Sequence, residues 1–185
     1  MYKKVRWITE TAAMLAMLVT LQMLTRSLGQ VVTGSCVNAV LAVAVMFGGL
    51  GCGLTVAICS PLLAFYLGIA GNIVVVPVIM VGNCVFVVLL SVIAGKKSKK
   101  DFVTVMRTVG AWLAAAVGKF AVMYPLVAWL ICGVLSQNLL DAGVLKPPML
   151  SVLPTTFGLM QLVTALIGGG IALLIAPVLK KAMKK

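Results

Sequence analysis

The sequence predicts an all-α integral membrane protein, a bundle of six transmembrane helices with both termini cytoplasmic and one transmembrane domain over 1–185. Three observations predict it. The chain is 63% hydrophobic and only 10% charged, where soluble domains carry about 25% charged residues. Its 185 residues leave room for about six apolar stretches of ~20 residues and little else. Its basic residues fall between those stretches in a one-sided pattern, as the positive-inside rule requires. No soluble domain fits, and no long linker is visible.

The elements follow in order. A basic start, MYKKVR, leads into a first span of about 7–28. This apolar run is too long for a signal peptide and lacks a small-residue cleavage site, so it reads as a retained span. Arg26, Ser27, Gly29, Gln30 and Thr33 then form a polar connection. The second span covers about 36–50, and the glycine cluster Gly48 to Gly53 reads as a turn. The third covers about 54–69, with Pro61 inside it, and a turn over Gly68 to Asn72 opens the fourth, about 73–94. A charged loop, KKSKKD at 96–101, precedes the fifth, about 103–135, long enough for tilt or a kink at Pro125. The connection from Ser136 to Pro154 holds Asp141, Lys146 and the pair Pro147-Pro148. The sixth span is about 155–179, and the chain ends KKAMKK.

Spans two and three are short, and one long bent helix is the alternative. Charge decides between them. With six spans and the N-terminus inside, Lys3, Lys4, Arg6, Lys96, Lys97, Lys99, Lys100, Arg107, Lys180, Lys181, Lys184 and Lys185 all share the cytoplasmic side, twelve of the fifteen basic residues. Five spans would put the KKSKK loop outside, against the rule. The net charge of +12 is explained by this asymmetry, so a nucleic-acid partner is not expected. Five cysteines without a CxxC pair read as buried apolar residues rather than disulfides or a zinc site. With no histidine, no metal site of the imidazole type is expected, and no cofactor is indicated. No phosphate-loop motif or Ser-His pairing is present, so the chain is not read as an enzyme.

One residue breaks the apolar pattern most sharply. Lys119 lies in the middle of GAWLAAAVGKFAVMYP, residues 110–125. Twelve residues of helix separate it from Arg107, about 18 Å, roughly half of the ~30 Å hydrocarbon core. An intramembrane lysine costs about 2.5–3.5 kcal/mol on insertion scales. The chain's acids, Glu10, Asp101 and Asp141, all fall at span ends or in loops. Backbone carbonyls, an amide side chain, water, loss of the proton, or an anionic group on a bound molecule must then satisfy Lys119.

The other polar residues sort by depth. Gln22 and Arg26 fall in the outer half of span one, Asn38 near the outer end of span two, Tyr66 near that of span three, and Asn72 beyond it. Asn83 falls about midway along span four and Gln161 in the outer half of span six. The expectation is an outward-opening pocket for a small-molecule substrate, floored by Asn83 and Lys119, with Phe65 and Tyr66 as an aromatic wall. Interhelical hydrogen bonding without a ligand is the alternative. Small-residue stripes at helical spacing also recur: Ala12, Ala16 and Thr20; Gly110, Ala114 and Gly118; Gly168, Ala172 and Ala176. They predict close helix packing or docking of another membrane subunit.

Several segments taken in order carry a resemblance. They are Ala12 to Ala16 (AxxxA), GSCVNA from Gly34, GGLGCGLTVAICSPLLAFYLGI, VPVIMVGN ending at Asn83, the lysine of span five, and QLVTALIGG from Gln161. Together the chain resembles the substrate-binding S component of energy-coupling factor transporters. The resemblance implies a six-helix bundle in the cell membrane that captures a vitamin-like micronutrient from outside. It implies a membrane partner, the T component, contacted through Ala12 and Ala16, and two ATP-binding cassette ATPases. It implies pocket walls from the outer ends of spans and from the connections one–two, three–four and five–six, and a tilting of the whole subunit to deliver cargo. The N-terminal histidine of the metal-transporting branch is missing, which disfavours nickel and cobalt. On this reading Lys119 pairs an anionic group, Arg26 assists at the mouth, and Asn83 and Gln161 orient the solute. The rival reading is a membrane scaffold with no small-molecule ligand.

Overall fold

The computed structural model describes residues 2–69, 72–94 and 101–183. The 96–100 part of the charged loop and the terminal Lys184 and Lys185 lie outside the described residues. All regular structure among the described residues is helical. Among the described residues, five helices are long and apolar enough to cross a membrane: Lys4–Leu28, Gln30–Tyr66, Val75–Ala94, Val105–Val134 and Pro147–Leu179. The chain is a membrane-embedded helical bundle.

Helix α1 is Tyr2–Thr25, closed by a 3-10 turn at Arg26–Leu28. Helix α2 is Gln30–Tyr66. It begins six residues before the expected second span, so Gln30 and Thr33 belong to a helix, not to a connection. It is not straight: Gly49 has φ 79° and ψ −178°, a backbone setting that favours glycine. A straight helix would separate Gly34 from Pro61 by ~40 Å, yet both line one cavity. Close to the bend, Val45 lies against Gly53. The element therefore folds back on itself at Gly49, and its halves, 30–48 and 50–66, run in opposite directions. The bend takes one glycine of the cluster; Gly51 and Gly53 remain helical.

Helix α3 is Val75–Ala94 and α4 is Asp101–Pro125. They are antiparallel: Gly82 packs on Met123, Gly118 on Leu89, and the Arg107 guanidinium donates to the Ile93 carbonyl. Past Pro125 the helix continues as a wide π-helical stretch, Leu126–Val134. The expected connection Ser136 to Pro154 instead contains two short helices, α5 (Ser136–Asp141) and α6 (Pro147–Pro154). A second π-helical stretch, Thr155–Leu159, follows Pro154 and leads into α7, Met160–Met183. Both wide stretches begin just after a proline. Proline lacks an N–H and its ring crowds the carbonyl of residue i−4, so the regular ladder is disrupted there.

The first half of α2 runs parallel to α7. Gly34 meets Thr164, and Gly168 meets the backbone of Ser35 and Ala39. Helix α1 runs antiparallel to that half, with Thr33 donating to the Thr25 carbonyl and Trp7 beside Gly51. It follows that the start of α1, the Gly49 bend, the end of α3, the start of α4 and the end of α7 share one end of the bundle. Arg26, Ile69, Asn72 and Lys146 lie toward the other. The main core is built of small and branched side chains, among them Leu18, Leu41, Val56, Ala115, Ala165 and Ala172, together with the buried ring of Phe86. A second cluster, with Val75, Met123, Val127, Leu145 and Leu153, closes the α3–α4 side of the second end.

Candidate functional site

Lys119 is 1% exposed, and the sequence leaves its partner open. The structure gives it two amide oxygens. Its Nζ donates to Asn38 Oδ1 and to Asn83 Oδ1, each at 2.8 Å. Phe86 lies beneath, its ring centroid 5.9 Å from Nζ, within range of a cation–π attraction. The acids are occupied elsewhere or distant. Glu10 accepts from Arg6 Nε at 2.7 Å and Asp141 from Gln137 at 3.2 Å. Two neutral amides solvate an ammonium but do not cancel its charge.

The local sequence explains how the three side chains meet. Gly82, next to Asn83, leaves room for Met123 on the adjoining turn of α4, and a Cβ there would collide with it. α3 and α4 thus approach closely enough for Asn83 to reach Lys119. Gly168 does the same for α2 and α7, since a Cβ would overlap the Ser35 carbonyl, the Ala39 nitrogen and Asn38 Cβ. Asn38 is fixed from its other end, its Nδ2 donating to the Gly34 carbonyl at 2.9 Å and to Thr164 Oγ1 at 3.2 Å. Thr164 Oγ1 in turn donates to the Gln161 carbonyl at 3.2 Å. These donors and acceptors fix the amide orientation of Asn38, because its oxygen must face the lysine and its nitrogen the two acceptors.

A cavity of about 140 Å³ opens beside this cluster. Each of the long helices gives it a polar side chain, and α2 gives one from each half: Gln22 from α1, Asn38 and Ser60 from the first and second halves of α2, Asn83 from α3, Lys119 from α4 and Gln161 from α7. Gln30, which is exposed, and Thr33 stand at its mouth. Apolar wall comes from Val37, Pro61, Ala64, Ile69, Ile79 and Phe157. Among the described residues, three buried side-chain polar atoms lack a hydrogen-bond partner: Gln22 Oε1, Ser60 Oγ and Asn83 Nδ2. All three belong to residues that line this cavity. An unpaired buried polar atom costs about 1–3 kcal/mol, so their gathering in one place points to water or a solute as the missing partner.

Of the residues singled out from the sequence, Lys119, Asn83, Gln161, Asn38 and Gln22 line the cavity. Arg26 and Tyr66 do not: both are exposed, Tyr66 at 82%. Asn72 holds a turn instead, donating to the Val144 carbonyl at 2.9 Å and accepting from the Val74 N–H at 2.9 Å. The expected aromatic wall of Phe65 and Tyr66 is absent from the lining; their rings contact each other at 6.1 Å. The ring that lines the cavity is Phe157, carried on the second π-helical stretch. Ser60, not singled out from the sequence, does carry a signal there, a hydroxyl beside Pro61 in the otherwise apolar stretch 56–65, whereas Phe157 carries none. The small-residue stripe of α7 is buried, but Ala12, Ala16 and Thr20 of α1 are exposed. No group of three metal-ligating side chains occurs among the described residues.

Compared with known protein families, curated proteins and solved structures, the chain matches none of them.

Proposed function

We propose that this protein captures a small solute within the membrane, as the substrate-binding subunit of an energy-coupling-factor-type importer in the cell membrane. The observation that carries the proposal is the cavity: six segments each give it a polar side chain, and the three unpaired buried polar atoms all line it. A bundle held together only by interhelical hydrogen bonds has no reason to leave unpaired atoms gathered around one hollow. On this reading the halves of α2 are separate spans, giving six, with both termini cytoplasmic. The cavity mouth by Gln30 then faces outward, and Lys119 closes its floor.

The chain lacks a phosphate-loop motif, so energy comes from partners: a T-type membrane subunit and two ATP-binding cassette ATPases. Exposed Ala12 and Ala16 give α1 a face on which a partner helix can approach closely. Affinity purification from native membranes tests this. A membrane subunit and two ATPases should accompany the wild type and be lost with Ala12→Trp plus Ala16→Trp, a pair that leaves the bundle folded because both positions face outward. A preparation that yields neither those partners nor a bound small molecule would leave the scaffold reading in its place.

A further inference from the structure

The unpaired atoms around the cavity have a pattern that specifies a ligand, and this inference rests on the solute-capture reading above. Two donors lie side by side on the floor. Lys119, as an ammonium, has three N–H bonds and spends two on Asn38 and Asn83, leaving one. Asn83 spends its oxygen on the lysine and keeps Nδ2 unpaired. The amide's own bonds, about 1.2 and 1.3 Å, keep that nitrogen within about 5.4 Å of Nζ. Two donors at this separation, one of them charged, match the two oxygens of a carboxylate.

The opposite need arises elsewhere on the wall. Gln22 Oε1 is an unpaired acceptor, and Ser60 Oγ is unpaired as well. The Gln22 oxygen calls for an N–H or O–H on the ligand, and the Ser60 hydroxyl can accept from that group or donate to it. That donor is neutral, because no aspartate or glutamate lines the cavity, and a ligand ammonium would be buried beside the Lys119 charge without a counter-ion. This argues against α-amino acids. The same cavity has apolar lining from Pro61, Ile79 and Phe157 among others. Its volume, about 140 Å³, is comparable to a cavity that accepts benzene. We infer that the cavity binds a ring-sized monocarboxylate bearing one neutral N–H or O–H donor, with its carboxylate on Lys119 and Asn83 and its donor toward Gln22 and Ser60.

The test uses purified full-length protein, equilibrium dialysis, and probes that change one group at a time. The probes are the three hydroxybenzoate isomers, benzoate, and the matching hydroxybenzamides. At least one hydroxybenzoate should bind about 10- to 100-fold more tightly than its amide, the range expected for one charge-assisted hydrogen bond, and about 2- to 10-fold more tightly than benzoate, the range for a neutral one. Gln22→Leu should erase the preference over benzoate while keeping that over the amide. Equal binding of acid and amide overturns the assignment, as does binding by none of the acids. Mass spectrometry of whatever the purified protein releases separates this failure from a wider one. Release of a neutral or cationic compound overturns the carboxylate assignment but leaves solute capture standing. An empty protein that binds no probe and co-purifies with no ATPase overturns both.

Discussion

Two hollows in this bundle differ in a way that makes the smaller one the candidate site. The larger, about 400 Å³, is a groove between α1, the first half of α2 and α7, lined by residues such as Met14, Met17, Val40, Phe47, Ile171 and Ile175. Apart from Glu10 at one end, its lining side chains are apolar, and none of the unpaired buried atoms belongs to it. The smaller, about 140 Å³, holds Lys119 and all three of those atoms. In water the larger apolar hollow would be the default binding site. In a membrane an apolar groove is simply wetted by acyl chains, which are as apolar as leucine. Unmet hydrogen bonding, not volume, is what marks a site in this solvent.

The comparison can be broken most severely at the contact that builds the polar side of it. Gly168→Leu drives a side chain into the backbone of the first half of α2. Overpacking against backbone should cost about 3 kcal/mol or more, and size-exclusion chromatography in detergent should show loss of folded protein. Next comes Lys119→Met, which should weaken solute binding about 100-fold, near the loss of a charge-assisted hydrogen bond at about 3 kcal/mol. Its thermal stability should change much less. The variant removes a buried charge, whose desolvation is costly, while leaving two amide oxygens unpaired, and these terms oppose each other. Asn38→Leu should be milder for binding but should lower stability by about 1–3 kcal/mol, because Thr164 and Lys119 each lose a partner. Calorimetry of the two single variants and the double variant would give their coupling. Ile171→Trp, which fills the apolar groove, should leave solute binding unchanged. The smallest effect belongs to Gly110→Ala. A Cβ there meets nothing within 4 Å, so the gain in helix propensity, up to about 1 kcal/mol, should raise the melting temperature slightly.

How much of this was legible in the sequence follows from the same solvent argument. Depth along a span was readable, because one polar residue in an apolar run stands out whatever its orientation. That is why Lys119, Asn83, Asn38, Gln22 and Gln161 were found and do line one cavity. Rotation about the helix axis was not readable. Core-facing and lipid-facing positions are both apolar here, so periodicity carries little signal. Arg26 and Tyr66 lie at the expected depth but point outward. Phe157 could not be found, since its direction depends on the widened turn after Pro154. The bend in α2 was visible as a glycine cluster, yet only the φ of 79° at Gly49 shows which glycine makes it. The helices inside Ser136 to Pro154 were hidden by their length, six and eight residues, too short to show a period.

The central claim is that Lys119 and its amide partners hold a solute rather than merely join three helices. Mass spectrometry of small molecules released from protein purified out of native membranes tests it most directly, with wild type and Lys119→Met compared at equal folded amounts. A compound should leave the wild type in near-stoichiometric amount and be missing from the variant. Equal release from both, or release from neither, would contradict the claim and return Lys119 to a purely structural role.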